Sequence, residues 1–230
     1  MVARTAAVFF DVDFTLIHPG PRFQAVGYEA ACRKHGVAVD ASRFDDAVAG
    51  ASTVLESADQ LYDDALYVKY TRRIIELMGG TSPAVERVAR ELYDEWAEHH
   101  HFSLYDDVVD TLQTLRDRDI RVGLISNSHR CLASFQSHFE LDGLIAVAVS
   151  SPDHGYMKPH PHIFKAALEL MQVSAGEAAM VGDSLRHDVD GARRIGMRGV
   201  LIARGPVPVQ VDQDVIVIRS LTELPERLNR

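Results

Sequence analysis

Short apolar runs alternate with amphipathic stretches along much of this 230-residue chain. Ala6–Phe10, Arg121–Ser126, Leu144–Ser150, Ala179–Val181, Gly199–Ala203 and Val215–Ile218 read as strands, since near-continuous apolar segments bounded by turn residues suit strands buried on both faces. Helical spacing marks Asp106–Arg118, where Val109, Leu112 and Leu115 recur, and Pro161–Met171, which carries Ile163, Phe164, Ala167, Leu168 and Met171; Asp188–Ile195 is a shorter helix candidate. Strands that alternate with helices predict an α/β fold on a doubly wound, mainly parallel sheet.

From Ile17 to Ser103 the texture differs. Phe23–His35, Phe44–Ser52, Ala58–Met78 and Pro83–His99 all repeat with helical period, and no strand pattern intervenes. The chain is therefore expected to divide into a core, residues 1–16 and 104–230, and an inserted helical unit, residues 17–103. His18-Pro19-Gly20-Pro21 and the break near Phe102-Ser103 are the expected hinges. Tyr93 and Trp96 are expected inside the insertion, and no internal repeat is present.

Ligands of an open parallel sheet bind beyond the C-terminal ends of its strands. Those ends are polar here: Asp11, Asp13 and Thr15; Ser126-Asn127-Ser128; Ser150-Ser151, with Lys158 beyond; and Gly182-Asp183-Ser184, with Asp188 beyond. Residues i and i+2 of a strand share a face, so Asp11 and Asp13 emerge together, partly stripped of water. Such a pair needs a neutralising cation or a shared proton. Hard carboxylate oxygens with few histidines suit Mg²⁺.

Composition narrows the partners. The formal charge of −9 argues against a basic nucleic-acid surface and favours small soluble metabolites, with a metal's help where these are anionic. Cys32 and Cys131 are isolated, so a disulfide framework is not indicated and a reducing, cytoplasmic setting is expected. Residues 1–10 lack the long apolar stretch of a secretory leader, and no apolar run reaches membrane-spanning length.

Four segments, Asp11-Val12-Asp13-Phe14-Thr15, Leu124-Ile125-Ser126-Asn127, Lys158-Pro159 and Gly182-Asp183-Ser184-Leu185-Arg186-His187-Asp188, resemble in order the four motifs of the haloacid dehalogenase (HAD) superfamily. The helical insertion falls where that family's C1 cap belongs, which makes the chain similar to its phosphoglycolate-phosphatase-like, C1-capped members. The resemblance implies a Rossmann-like core and phosphoryl transfer through an aspartyl-phosphate. It implies Asp11 as nucleophile and Asp13 as general acid and base, a role that requires a carboxyl not permanently ionised by a neighbour. It further implies Mg²⁺ held by Asp11, the Asp13 carbonyl and Asp183, with Asp188 completing the acidic rim directly or through water. Ser126 and the Asn127 backbone N–H are implied as phosphate donors, and Lys158 as the group that offsets charge. Thr15 is expected to brace the loop. Phe14 departs from the family's usual glycine, and a phenylalanine does not take positive φ cheaply.

Other readings fit less of the chain. Gly182-Asp183-Ser184-Leu185 spells a serine-esterase signature, but no catalytic Asp-x-x-His follows it. A haloacid dehalogenase proper needs neither Mg²⁺ nor a carboxylate such as Asp13. A phosphomutase would share these core residues, and a non-catalytic HAD-like module would have no chemical need for all of them. A receiver-like phospho-switch would end its second strand in an acceptor aspartate rather than Ser126. His99-His100-His101 are consecutive, so on a helix their side chains diverge and read as a solvated end. His160 and His162 read as surface or capping residues. Arg22, Tyr28 and Lys69 are the insertion's candidates for substrate contact. The expectation is a Mg²⁺-dependent hydrolase of a small-molecule phosphate ester, with no nucleic-acid or membrane partner. A homodimer stays open, because both units can present an interface.

Overall fold

Every residue of Ala7–Phe10 (β1) is buried, and β1 runs through the middle of a six-stranded sheet in the computed structural model, which describes residues 4–56, 61–205 and 211–228. Ile17–Pro19 (β2) and Phe102–Leu104 (β3) form a separate two-stranded sheet. The remaining strands are Arg121–Ser126 (β4), Val147–Ser150 (β5), Ala178–Gly182 (β6), Arg198–Ile202 (β7) and Ile216–Ile218 (β8). They stand in the order β5-β4-β1-β6-β7-β8, and all pair in parallel. Phe10 lies opposite Leu124 on one side and Val181 on the other, which aligns the C-terminal ends of β1, β4 and β6. Connections leave β1 toward both sides of the sheet, so the crevice beside it is the fold's natural ligand position.

Side-chain alternation divides β1 between two layers. Phe9 packs with Ile163, Phe164, Ala167 and Met171 of Pro161–Met171, and Val8 and Phe10 face the opposite side. Each such fully buried large apolar residue contributes roughly 1.5–3 kcal/mol relative to exposure. The Pro161–Met171 helix begins where its sequence says it should: Pro161 opens it, and His160 Nδ1 accepts the His162 N–H at 3.2 Å.

The chain divides into two compact units, Met1–His18 with Leu104–Arg230, and Pro19–Ser103. The second holds the helices Ala25–Lys34 (α1), Phe44–Glu56 (α2), Asp64–Leu77 (α3) and Val85–Glu95 (α4). Phe23, Trp96 and Phe102 form an aromatic group there, with Phe23 and Trp96 centroids 4.6 Å apart. Tyr28 is buried against Phe44, and Arg22 pairs with Glu91 and Glu95, so both are engaged within their own unit. Lys69 is exposed.

Several boundaries differ from the sequence expectation. The β2 and β3 strands went unread because three residues are too few to display alternation. The strand expected from Leu144 begins at Val147, because pairing with β4 starts at Gly123 opposite Val147 and Leu144 closes a turn onto Leu141. The helix expected over Ala58–Met78 starts at Asp64, where Asp63 accepts the Ala65 N–H; residues 57–60 lie outside the described residues. His99–His101 form a single 3₁₀ turn in which His100 is exposed, as expected of a solvated end, while the His101 ring stands edge-on to Phe23. In place of a helix over Asp188–Ile195, a π-helical segment, Leu185–Asp190, precedes a short α-helical turn, Gly191–Arg193.

Candidate active site

Three strand ends converge on one buried ammonium. Lys158 Nζ donates to Asp11 Oδ1 at 2.5 Å and to Asp188 Oδ1 at 2.7 Å. All three residues are buried: Lys158 is 3% exposed, Asp11 8% and Asp188 1%. Asp11 extends the line of β1, its N–H donating to the Val181 carbonyl at 2.9 Å. Asp188 arrives through the π-helical segment, and its second oxygen accepts the Ser184 N–H at 3.0 Å. Gly182 makes this possible. A Cβ there would lie 2.2 Å from the Asp188 carboxyl carbon, so only glycine leaves room for that carboxylate.

Asp11, Asp183 and Asp188 each offer a carboxylate oxygen, and these oxygens lie within 4.8 Å of one another. The electrostatics follow from this crowding. Burial pushes the Asp11 carboxyl up to about 7, with Lys158 pulling it down and Asp188 adding to the rise. Asp183 keeps an exposed edge, yet loss of water around its carboxyl, with Asp11 and Asp188 beside it, raises it to about 8. Burial works against the Lys158 ammonium, but Asp11 and Asp188 outweigh it and hold its pKa above the ordinary lysine value. A cluster of three carboxylates against one ammonium is short of positive charge.

The Asp13 side chain is not among the three clustered carboxylates, in keeping with an expected metal contact through its backbone carbonyl. Its Oδ1 accepts from Arg130 Nη2 at 2.9 Å. The acid–base role implied by the resemblance asks for a carboxyl that can still take a proton, and the Arg130 bond engages only one of the two Asp13 oxygens. Arg130 was missed because it lies 117 residues from Asp13, and the only available signal was a charged residue in the turn that follows Ser126.

Ser126 is buried at the end of β4, where its Oγ accepts the Ser128 N–H at 3.1 Å. Asn127 uses its side chain on the Lys158 backbone: Nδ2 donates to the Lys158 carbonyl at 3.0 Å, and Oδ1 accepts the Lys158 N–H at 2.7 Å. Thr15 is fully buried, and its carbonyl accepts from Arg204 Nη2 at 2.8 Å. Arg204 is held in turn by both oxygens of Asp107 and by the face of Tyr105. Neither Arg204 nor Asp107 was singled out in the sequence. Phe14 occupies the left-handed region at φ 63° with 44% of its surface exposed, so the backbone takes the conformation that a glycine would supply. Its N–H donates to the Ile17 carbonyl at 2.7 Å, which closes the loop.

A profile described as haloacid dehalogenase-like hydrolase matches residues 5–196. The chain belongs to that family. This hydrolase is 28% identical over 211 residues to haloacid dehalogenase-like hydrolase domain-containing protein 3 of Bos taurus, covering 87% of this chain and 82% of the relative. It spans about half the length of further curated relatives, a Bacillus cereus pyrophosphatase among them. Among solved structures it is similar to a HAD phosphatase from Thermococcus onnurineus, at 27% identity, 97% and 98% coverage and a TM-score of 0.66. It is similar also to a 2-haloacid dehalogenase from Pseudomonas syringae, at 26% identity, 98% and 99% coverage and a TM-score of 0.65. Among the described residues of this hydrolase, no helix is long and apolar enough to cross a membrane.

Proposed function

We propose that this hydrolase is a Mg²⁺-dependent phosphatase that cleaves a small phosphorylated metabolite through a phosphate ester on Asp11. The observation that carries the proposal is the group Asp11, Asp183 and Asp188 around Lys158, with a separate carboxylate, Asp13, on the same loop as Asp11. A dehalogenase displaces halide without a metal and has no use for Asp13, so the phosphatase reading accounts for more of these groups.

The donor set fits a hard divalent cation. Three carboxylate oxygens lie close together with one ammonium among them, which leaves the site short of positive charge. Asp11, Asp183 and Asp188 would hold Mg²⁺, with the Asp13 carbonyl as a backbone ligand. Once bound, the ion would neutralise phosphate charge and lower the barrier to attack by an anionic nucleophile.

The chain's own residues carry the steps. An Asp11 carboxylate oxygen attacks phosphorus, the bond from phosphorus to the ester oxygen breaks, and Asp13 delivers a proton to the departing alkoxide. Water then attacks the phosphorus of the aspartyl-phosphate and gives its proton to Asp13. The Asp11–phosphorus bond breaks and inorganic phosphate leaves. Ser126 Oγ–H and the Asn127 backbone N–H donate to phosphoryl oxygens, and Lys158 offsets charge on Asp11 and the transferred group. The helical unit Pro19–Ser103 takes the part of a C1-type cap in this reading, and the cytoplasm is the assigned setting.

The test is phosphate release from 4-nitrophenyl phosphate, with Mg²⁺ and with a chelator, for wild type and Asp11→Asn. Release only with Mg²⁺, and none from Asp11→Asn, is the expected result. Metal-independent release, or full activity in Asp11→Asn, overturns the reading.

A further inference from the structure

Among the largest side chains with almost no access to water is a cation, Arg130, at 1% exposure. Enclosing a guanidinium is costly unless charged or polar partners replace its water, so its partners indicate what the fold keeps it for. Arg130 Nη2 donates to Asp13 Oδ1 at 2.9 Å. The Arg130 backbone is itself stitched to the end of β4, since its N–H donates to Ser128 Oγ at 3.3 Å and the Ser128 N–H donates to Ser126 Oγ at 3.1 Å. One short turn therefore links the hydroxyl of Ser126 to the orientation of Asp13.

We propose that Arg130 is a positioning residue that holds Oδ1 of Asp13 and so aims its carboxyl, leaving Oδ2 to carry the proton in both chemical steps. The proposal rests on the phosphatase reading above, in which Asp13 is the acid and base. The geometry supports it in two ways. A charge-assisted N–H···O bond from an enclosed guanidinium, whose donors lie along fixed lines, holds the position of the oxygen it reaches and so restrains the carboxyl. The bond is also made from the enclosed side, by a guanidinium without solvent access, to a carboxylate that is itself only half-buried, and it engages Oδ1 and not Oδ2. Arg130 does not touch the reacting atoms in this account. It acts through Asp13, and loss of aim by about 1 Å in such a group costs on the order of 10²-fold in rate.

The experiment is a double-mutant cycle on the Mg²⁺-loaded full chain with 4-nitrophenyl phosphate, using Arg130→Lys, Arg130→Gln, Asp13→Asn and the Arg130→Lys/Asp13→Asn pair. Each Arg130 variant is expected to lower kcat about 10²-fold while KM stays within about threefold. In the Asp13→Asn background, Arg130→Lys should change the residual rate less than about twofold, because there is no proton left to aim. A full further loss in that background would mean that Arg130 serves the fold and not Asp13, and the inference is overturned. Wild-type kcat in both Arg130 variants overturns it equally. If instead Asp13→Asn keeps wild-type kcat, the acid–base reading of Asp13 itself fails and takes this inference with it, which separates the two failures. Should the Arg130 variants not fold, nitrogen NMR of the Arg130 guanidinium in wild type and Asp13→Asn decides: a shifted, freely rotating guanidinium in Asp13→Asn is expected, and an unchanged one overturns the pairing.

Discussion

Lys158 and Asp11 are joined by a 2.5 Å hydrogen bond between two side chains that water barely reaches. The bond runs from the loop after β5 to the end of β1, and its ammonium is shared with Asp188. Two buried anions thus depend on one buried cation.

Replacing that cation should be felt in stability as well as activity. In Lys158→Met the partners stay buried without compensation, so unfolding in urea near pH 8 should show a loss of about 3–5 kcal/mol. Near pH 4, where the carboxyls can take up protons, the loss should shrink. An equal loss at both pH values would mean that Lys158 acts through packing alone. Phosphate release should fall with the same substitution at either pH.

The raised carboxyls predict how the metal-free protein responds to pH. Asp11 and Asp183 titrate at about 7 and about 8 when folded, against an ordinary value of 3.8. A carboxyl raised by folding binds its proton more tightly in the folded state, so its contribution is complete below the ordinary value and lost as pH climbs through the folded one. The melting temperature in chelator should therefore decline between about pH 4 and pH 8. Added Mg²⁺ should recover more of it at pH 8 than at pH 5, which scanning calorimetry with and without the ion would measure.

Asn127 is predicted to act on the Lys158 loop through its side chain. Asn127→Ala removes both hydrogen bonds to the Lys158 backbone and should cost about 1–3 kcal/mol together with a fall in kcat. Asn127→Asp keeps the acceptor for the Lys158 N–H but sets a second oxygen against the Lys158 carbonyl, so it should not recover wild-type turnover. Urea denaturation and steady-state kinetics on the two variants read these effects separately. Wild-type behaviour in Asn127→Asp would show that the donor is dispensable.

Phe14→Gly is expected to stabilise the fold by roughly 1 kcal/mol, because a side chain in the left-handed region carries a steric cost that glycine lacks. The urea midpoint should rise. A lower midpoint would show that contacts of the Phe14 ring outweigh the strain of its backbone.

The division between what the chain announces and what folding decides follows range. Periodicity is local, so Ala7–Phe10, Arg121–Ser126 and Pro161–Met171 could be read directly, and the polar residues just beyond each strand could be recognised as Asp11, Ser126, Asn127, Lys158 and Asp183. That these strands run parallel follows from strand–helix alternation, whereas the placing of β1 between β4 and β6, which gathers those residues, came only with the tertiary structure. The β2 and β3 strands could not be read this way, since segments that short carry no period.

The chain by itself determined the family, the α/β core and which carboxylates stand at the strand ends. Only the tertiary structure decided how they are shared: Lys158 bridging Asp11 and Asp188, Asn127 spent on the Lys158 backbone, Arg130 on Asp13, and Arg204 on the Thr15 carbonyl. The reason is that a hydrogen bond between residues far apart in sequence leaves no periodic trace in either segment. It exists only once the sheet has brought their backbones within reach.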